Sequence, residues 1–367
     1  MALILRQALL LIAAVAGAYA LFLVCGLLIM RPETNDARLN TANAGDSLYM
    51  TQPKYVFMSR TRLNTETDKL LLVGASNTMA GFRQEQVQAL LPAMEVHNLS
   101  VGGSNMTQLA QIVELVREAQ SPAARRHDLY VFGLWYGVFA SNAARWHSAD
   151  RVEGDTDMDI ERYRYGFYRR SPQGPVPVLP TRLLDAGAVL VHPFLVLDSL
   201  ARDATRGMRR FFDAKPKPLS DEDRNATIVG PARQAQYLAF WREYTGQART
   251  LEPAQFEALT RTVDAIVADG GHVLLVDLPI PPWHTAGSVL AADYRQQLDR
   301  LLPQLRAKPG VQVLDMTGAA ADDDFNDEVH PKPRVTSLWA QRLATAVMPQ
   351  ASPPMANQPA PVAGARL

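Results

Sequence analysis

Residues Gln7 to Met30 carry no charge, and Arg6 and Arg31 bracket them. An apolar run longer than about 20 residues is enough to cross the hydrocarbon core of a bilayer. A cleaved signal peptide is the competing interpretation, because Ala18-Tyr19-Ala20 has the A-x-A form of a cleavage site. The chain continues apolar through Leu21-Phe22-Leu23-Val24, however, whereas a signal h-region stops after about 7–15 residues. Cys25 makes a poor lipoprotein cysteine, since Phe22-Leu23-Val24 before it lacks small residues. Residues 1–31 are therefore expected to be an uncleaved anchor. Arg6 lies before the span and Arg31 and Arg38 after it, so the positive-inside rule hardly decides orientation. A signal-anchor at the extreme N-terminus, followed by a long polar domain, places that domain outside the cytoplasm.

The remaining chain has the composition of a folded domain. Across all 367 residues, 47% are hydrophobic and 20% charged, sufficient for a sizeable core. Basic and acidic residues balance at 37 each, which argues against nucleic acid as a main partner. Cys25 is the only cysteine, which excludes an internal disulfide, a thiolate zinc site and an iron–sulfur cluster. Residues 32–68 are polar without periodicity and are expected to form a stalk. Beyond them, short apolar runs at 69–74, 94–99, 128–135, 272–280 and 311–317 predict strands. Helical spacing predicts helices near 83–91, 107–119, 253–268, 291–306 and 336–347. This alternation predicts an α/β domain over 69–347, with a central parallel sheet and helices on both faces. Residues of about 140–235 interrupt it and are expected to be an insertion. They hold aromatic and basic clusters (Tyr163, Tyr165, Phe167 and Tyr168 among Arg162, Arg164, Arg169 and Arg170), suited to a glycan, to lipid headgroups or to ordinary packing. Asp185 and Pro193 interrupt the apolar segment 183–200, which argues against a second span. The Pro/Ala-rich tail 348–367 is expected to be disordered.

In a parallel sheet, ligands bind beyond the C-terminal ends of the strands. Three such ends carry chemistry. In Gly74-Ala75-Ser76-Asn77 a serine follows a buried strand at the turn into a helix, where its hydroxyl stands above the sheet. Thr78 occupies the place of the second glycine of a G-x-S-x-G elbow, and a serine here also suits a helix N-cap. After the second strand, Asn98-Leu99-Ser100-Val101-Gly102-Gly103-Ser104-Asn105 has the glycines that let backbone N–H groups approach a substrate, or make a tight turn. After the fifth strand, Asp327-Glu328-Val329-His330-Pro331 places a carboxylate where it can hold one imidazole nitrogen while the other faces a serine. The acids Asp322, Asp323, Asp324 and Asp327 raise a metal site as a rival, but no second histidine stands ready as a ligand, and a solvated face suits the run better.

Taken in this order, the three segments resemble the SGNH (GDSL-like) hydrolase superfamily, over roughly 69–135 and 250–347. The resemblance implies a flavodoxin-like three-layer fold. It implies Ser76 as nucleophile, Asp327 and His330 as its relay, and the backbone of Ser76 and Gly103 as oxyanion hole, with no metal or cofactor. The third family block, G-x-N-D, is replaced by Gly133-Leu134-Trp135-Tyr136, so Trp135 stands where an oxyanion-binding Asn is expected. Asn105 or Asn77 would have to substitute. With the anchor, the aromatic third block resembles a narrower group, the DltD-like proteins and the AlgJ/AlgX type of exopolysaccharide acetyltransferase. This resemblance implies a single-pass protein of the bacterial inner membrane with a periplasmic domain. There it would transfer an acyl group, such as acetyl, to a cell-surface polysaccharide alongside an MBOAT-type membrane acyltransferase. Trp135, Tyr136, Trp283 and His284 lie at strand ends and are expected either to rim the site and stack on polymer, or to pack the edge of the core. A membrane-anchored esterase using the same residues, and an inactive scaffold that binds polysaccharide or a membrane partner, remain open.

Overall fold

A computed structural model describes residues 1–29, 52–140, 163, 168–171, 174–212 and 219–348. Helix α1 (Ala2–Ile29) starts ahead of Arg6 and takes in the uncharged run as far as Ile29, and Ala2–Leu28 within it is long and apolar enough to cross a membrane. Two short helices, α2 (Gln52–Met58) and α3 (Arg60–Leu63), precede strand β1 (Lys69–Gly74). The chain then runs through α4 (Ser76–Gly81), α5 (Gln84–Leu90), β2 (Glu95–Asn98), α6 (Met106–Ala119), α7 (Pro122–Arg125) and β3 (Asp128–Leu134). A hairpin of β4 (Tyr168–Ser171) and β5 (Gly174–Pro177) leads into the long α8 (Thr181–Phe212), then α9 (Asp221–Ala226) and α10 (Pro231–Tyr244). The alternation resumes with α11 (Pro253–Ala268), β6 (His272–Asp277), α12 (Pro282–Gly287), α13 (Val289–Arg306), β7 (Val311–Asp315) and α14 (Pro333–Val347).

The five core strands form one parallel sheet in the order β2-β1-β3-β6-β7. Numbered within the sheet this is 2-1-3-4-5, a doubly wound order of the flavodoxin type, whose switch point lies between β1 and β3. Both faces are buried because alternate residues of each strand serve different layers. Leu71, Val73, Tyr130, Phe132, Val273 and Leu275 pack with α6, α11 and α13. Leu70, Leu72, Val131, Leu274 and Val276 pack with α5 and α14. Continuous apolar strands are what a sheet covered on both faces requires.

Two boundaries differ from the sequence expectation. The distal part of the expected stalk, 52–63, is not a linker but the pair α2 and α3, packed beside α6. Their charges are accommodated internally: the buried Lys54 ammonium pairs with Asp198 and donates to Ser199 Oγ at 3.2 Å. The insertion ends later than residue 235, because α10 continues to Tyr244. Its apolar segment 183–200 lies inside the single helix α8, with Pro193 accommodated mid-helix. Within the aromatic-basic cluster, the Arg170 guanidinium lies 4.4 Å from the Tyr163 ring centroid and the Tyr168 hydroxyl donates to Glu118 at 2.9 Å. Residues 32–51 of the expected stalk, residues 141–162, Arg164, Tyr165 and Phe167, and the tail from 349 lie outside the described residues.

One local device positions the chemistry. Gly74 and Gly133 are register partners on β1 and β3. A Cβ on either would come within 2.1 Å of Thr78 Oγ1. The two strands thus leave the space that Thr78 fills, and α4 can start directly above the sheet. Gly133→Ala is expected to destabilise the protein by about 1–3 kcal/mol, the usual cost of overpacking. Thermal denaturation of this variant, and of Gly133→Ala combined with Thr78→Gly, checks it: the second change should recover most of the loss.

Candidate active site

Ser76 opens α4 rather than capping it. Ala75 is the N-cap residue and no side-chain cap bond forms, so the Ser76 hydroxyl is not engaged in helix termination and is half-buried at the sheet's C-terminal edge. Its N–H belongs to the first helical turn, where no intrahelical acceptor exists.

The loop after β2 is held against this turn by its own polar groups. Asn98 Nδ2 donates to the Phe82 carbonyl at 3.1 Å, and Asn98 Oδ1 accepts from Ser100 N at 3.1 Å. Val101 N donates to the Gly74 carbonyl at 2.8 Å, and Gln52 Nε2 of α2 donates to the Ser100 carbonyl at 2.7 Å. Gly103 has φ of +70°, a left-handed conformation that favours glycine. A Cβ on the adjacent Gly102 would sit 3.8 Å from Ser76 Cβ, a measure of how close the loop comes. Asn105 behaves differently from the expectation. Its Oδ1 accepts from Gln108 N at 3.2 Å in the capping box of α6, and Gly103 and Ser104, not Asn105, line the cavity beside Ser76. The sequence is thus using Asn105 as a helix cap. Asn77 is buried, with Oδ1 accepting from Thr78 N at 2.9 Å.

The loop after β7 folds back on itself. Phe325 and Pro331 form an isolated bridge, and Asn326 N donates to the His330 carbonyl at 3.0 Å. Asp327 Oδ1 accepts from Val329 N at 3.0 Å and His330 N at 2.8 Å, leaving Oδ2 to accept from His330 Nδ1 at 2.7 Å. A proton on Nδ1 leaves the Nε2 lone pair free, as a general base requires. Burial alone would push the His330 imidazole down, but the Asp327 and Glu328 carboxylates outweigh it and hold it above the usual histidine value. For Asp327, burial pushes upward, but the His330 hydrogen bond and charge and the two backbone donors hold the carboxyl below its usual value. Asp322 to Asp324 are engaged elsewhere: Asp322 accepts from Trp283 N, Asp323 pairs with Lys332 and Arg334, and Asp324 with Arg334.

Ser76 and His330 together line two spaces. Both line a small cavity of about 50 Å³ with Gly103, Trp135 and Glu328. Both also line an open cleft of about 730 Å³ that includes Asp327, Arg83, Asp221 and Arg224. Among the described residues no hydrogen bond joins Ser76 Oγ to His330; such bonds are characteristically long before substrate engages and tighten in the reactive complex. The site lies beyond β1 and β3, at the switch point of the sheet.

Three of the four aromatic residues expected at the rim are buried. Trp135 and Tyr136 pack edge-on to each other and to Trp241 of α10, with ring centroids 5.0–5.9 Å apart. His284 is buried between the Tyr136 hydroxyl and the Glu328 carbonyl, with Nδ1 donating to the carbonyl at 2.6 Å. Burial, only partly offset by that bond and by the charge of Asp327, lowers its basicity. These three therefore brace the Glu328–His330 loop and cannot stack on a polymer. Trp283 alone is half-exposed, stacked on Tyr237 with centroids 6.4 Å apart. Trp135 also separates the small cavity from a more apolar one of about 550 Å³ bounded by α12 and α13. Its indole N–H is buried with no partner among the described residues. Contributions from the insertion went unanticipated. Helix α9 covers the cleft through Asp221, which holds the Arg83 guanidinium with both oxygens at 2.6 and 2.9 Å, and α10 supplies Trp241 and Tyr244. No spacing signal connects Arg83 to a residue so distant in sequence.

No family model matches this chain, and no curated protein does either.

Proposed function

We propose that the chain is a Ser-His-Asp acyltransferase, anchored by α1 and acting outside the cytoplasm on the hydroxyl groups of a polysaccharide. The observation that supports this reading is the hydrogen-bonded Asp327–His330 pair, lining together with Ser76 a cleft wide enough for a saccharide. In the reaction, His330 Nε2 takes the Ser76 Oγ proton as Oγ attacks the donor's acyl carbon. The oxygen of the tetrahedral intermediate lies against the Ser76 N–H, beside the backbone of Gly103. Collapse expels the donor's leaving group, which takes the proton from His330, and leaves an ester on Ser76. A sugar hydroxyl then attacks that ester while His330 takes its proton, and a second collapse returns the proton to Ser76 Oγ. The likeness of the three strand-end segments to SGNH enzymes supports the same assignment, and an MBOAT-type membrane acyltransferase is the partner it implies as acyl source.

Trp135 fixes the character of the site. Where the resemblance calls for a side-chain donor to the oxyanion there is a buried wall, and a missing donor costs about 2.7–4 kcal/mol of transition-state stabilisation in a hydrolase. The loss slows attack by water and by a sugar hydroxyl alike, so transfer wins only where a bound acceptor fills the cleft and displaces water. The test is product partition. Purified full-length protein is given an activated acetyl ester, with and without oligosaccharide. The reading predicts slow release of acetate alone and acetylated oligosaccharide as main product when the acceptor is present. Acetate as main product in both cases would establish an esterase; no turnover and no Ser76 ester would leave a binding scaffold.

A further inference from the structure

Helix α8 has an apolar face that the described residues leave half uncovered. Leu183, Leu190, Phe194 and Leu197 are each 52–55% exposed. At 100° per residue they fall on one stripe, which Ala201 and the exposed Met208 extend. The opposite side of the helix, with Leu184, Leu195 and Ser199, is buried against the folded domain.

The neighbour of this stripe is α1. The Tyr19 hydroxyl donates to the Leu190 carbonyl. The Phe22 ring stands edge-on to Phe194 with centroids 5.5 Å apart. Gly26 lets the two backbones close in: a Cβ there would lie 3.1 Å from Pro193 Cα. So α8 contacts α1 over residues 19–26. The 27-residue stretch Ala2–Leu28 measures about 40 Å at 1.5 Å per residue, against about 30 Å of hydrocarbon. Even if all the excess projects on the side of the folded domain, Tyr19 remains within the hydrocarbon layer. The part of α8 touching it is then at the membrane boundary or inside it.

We propose that residues 183–201 of α8 lie in the bilayer surface beside α1, with the Leu183–Leu190–Phe194–Leu197 stripe immersed in lipid. The occupant is lipid rather than protein because the stripe is continuous with the lipid-facing surface of α1. Immersion removes the cost of exposing four large apolar side chains to water. The pairing of buried Lys54 with Asp198 and Ser199 then ties the immersed helix to α2, and through Gln52 to the loop that carries Gly103. The domain is thereby held at the membrane by two helices, at a fixed height and tilt. This inference rests on α1 spanning the membrane and not on the chemistry assigned to Ser76.

The test uses full-length protein with Cys25→Ser, carrying Leu197→Cys, Ile12→Cys or Glu257→Cys in turn, each labelled with an environment-sensitive fluorophore. The variants are reconstituted into phosphatidylethanolamine/phosphatidylglycerol vesicles. The expected result is that position 197 matches position 12: blue-shifted, quenched several-fold by spin-labelled lipid and little by iodide, with position 257 the reverse. Position 197 behaving like 257 while 12 is lipid-quenched would overturn the proposal. So would shielding of 197 that appears only when a second membrane protein is added. Position 12 in water would overturn the anchor itself, and the inference with it.

Discussion

Ser76→Ala is expected to remove acyl transfer altogether, a loss on the order of 10⁶-fold in turnover when a serine nucleophile is deleted. Labelling by a fluorophosphonate probe should vanish with it. The fold should be unaffected, because the side chain makes no capping bond and is only half-buried. Changes of this kind alter stability by about 0.5 kcal/mol or less. The contrast with Gly133→Ala separates chemistry from architecture: one variant keeps its melting temperature and loses turnover, the other loses stability. Undiminished polymer acylation by Ser76→Ala, measured as ester content on the acceptor, would remove Ser76 from the mechanism and leave the cleft as a binding site.

The same residues show how far sequence alone reaches. The strands were legible because apolar side chains fill both faces of each, and a run such as Leu70-Leu71-Leu72-Val73 has no other economical use. Ser76, Gly103, Asp327 and His330 were legible because each is placed by a few neighbours at a strand end: a turn, a left-handed glycine, a loop closed by one carboxylate. What failed was whatever depends on distant partners. Lys54 sits in a polar stretch that resembles a stalk, yet its partner Asp198 is 144 positions away. Thr78 appeared to be a departure from a glycine elbow until β1 and β3 paired and placed Gly74 beside Gly133. Trp135, Tyr136 and His284 are rim residues by position along the chain, but Trp241 packs over the aromatic pair from the insertion and closes them off from solvent. Exposure is a property of the whole packing arrangement, and no local spacing encodes it.

Asp327→Asn should preserve the shape of the site and lower turnover by about 10⁴-fold, through the proton on His330. With Asp327, Oδ1 accepts two backbone N–H groups, and Oδ2 accepts the proton of His330 Nδ1. An asparagine keeps the first pair of bonds only by turning its carbonyl to the backbone and its NH₂ to the imidazole. Nδ1 must then accept, the ring proton moves to Nε2, and the base has no lone pair for Ser76. The pH profile carries the second signature. Because His330 is held above the usual histidine value, near 6.5, the acid limb of wild-type turnover should lie above that pH. Removing the carboxylate leaves burial as the dominant influence, which pushes the imidazole down, so the residual limb of the variant should move to lower pH. Stability follows the matching sign. The raised His330 contributes fully below its unfolded value and loses that contribution as pH rises through its folded one. The depressed Asp327 contributes fully above its unfolded value, near 3.9, and loses it as pH falls through its folded one. The melting-temperature gap between wild type and Asp327→Asn should therefore be widest at about pH 4–6.5 and narrow toward alkaline pH. An unchanged acid limb together with a pH-independent gap would show that His330 titrates without Asp327 and is not the base of this site.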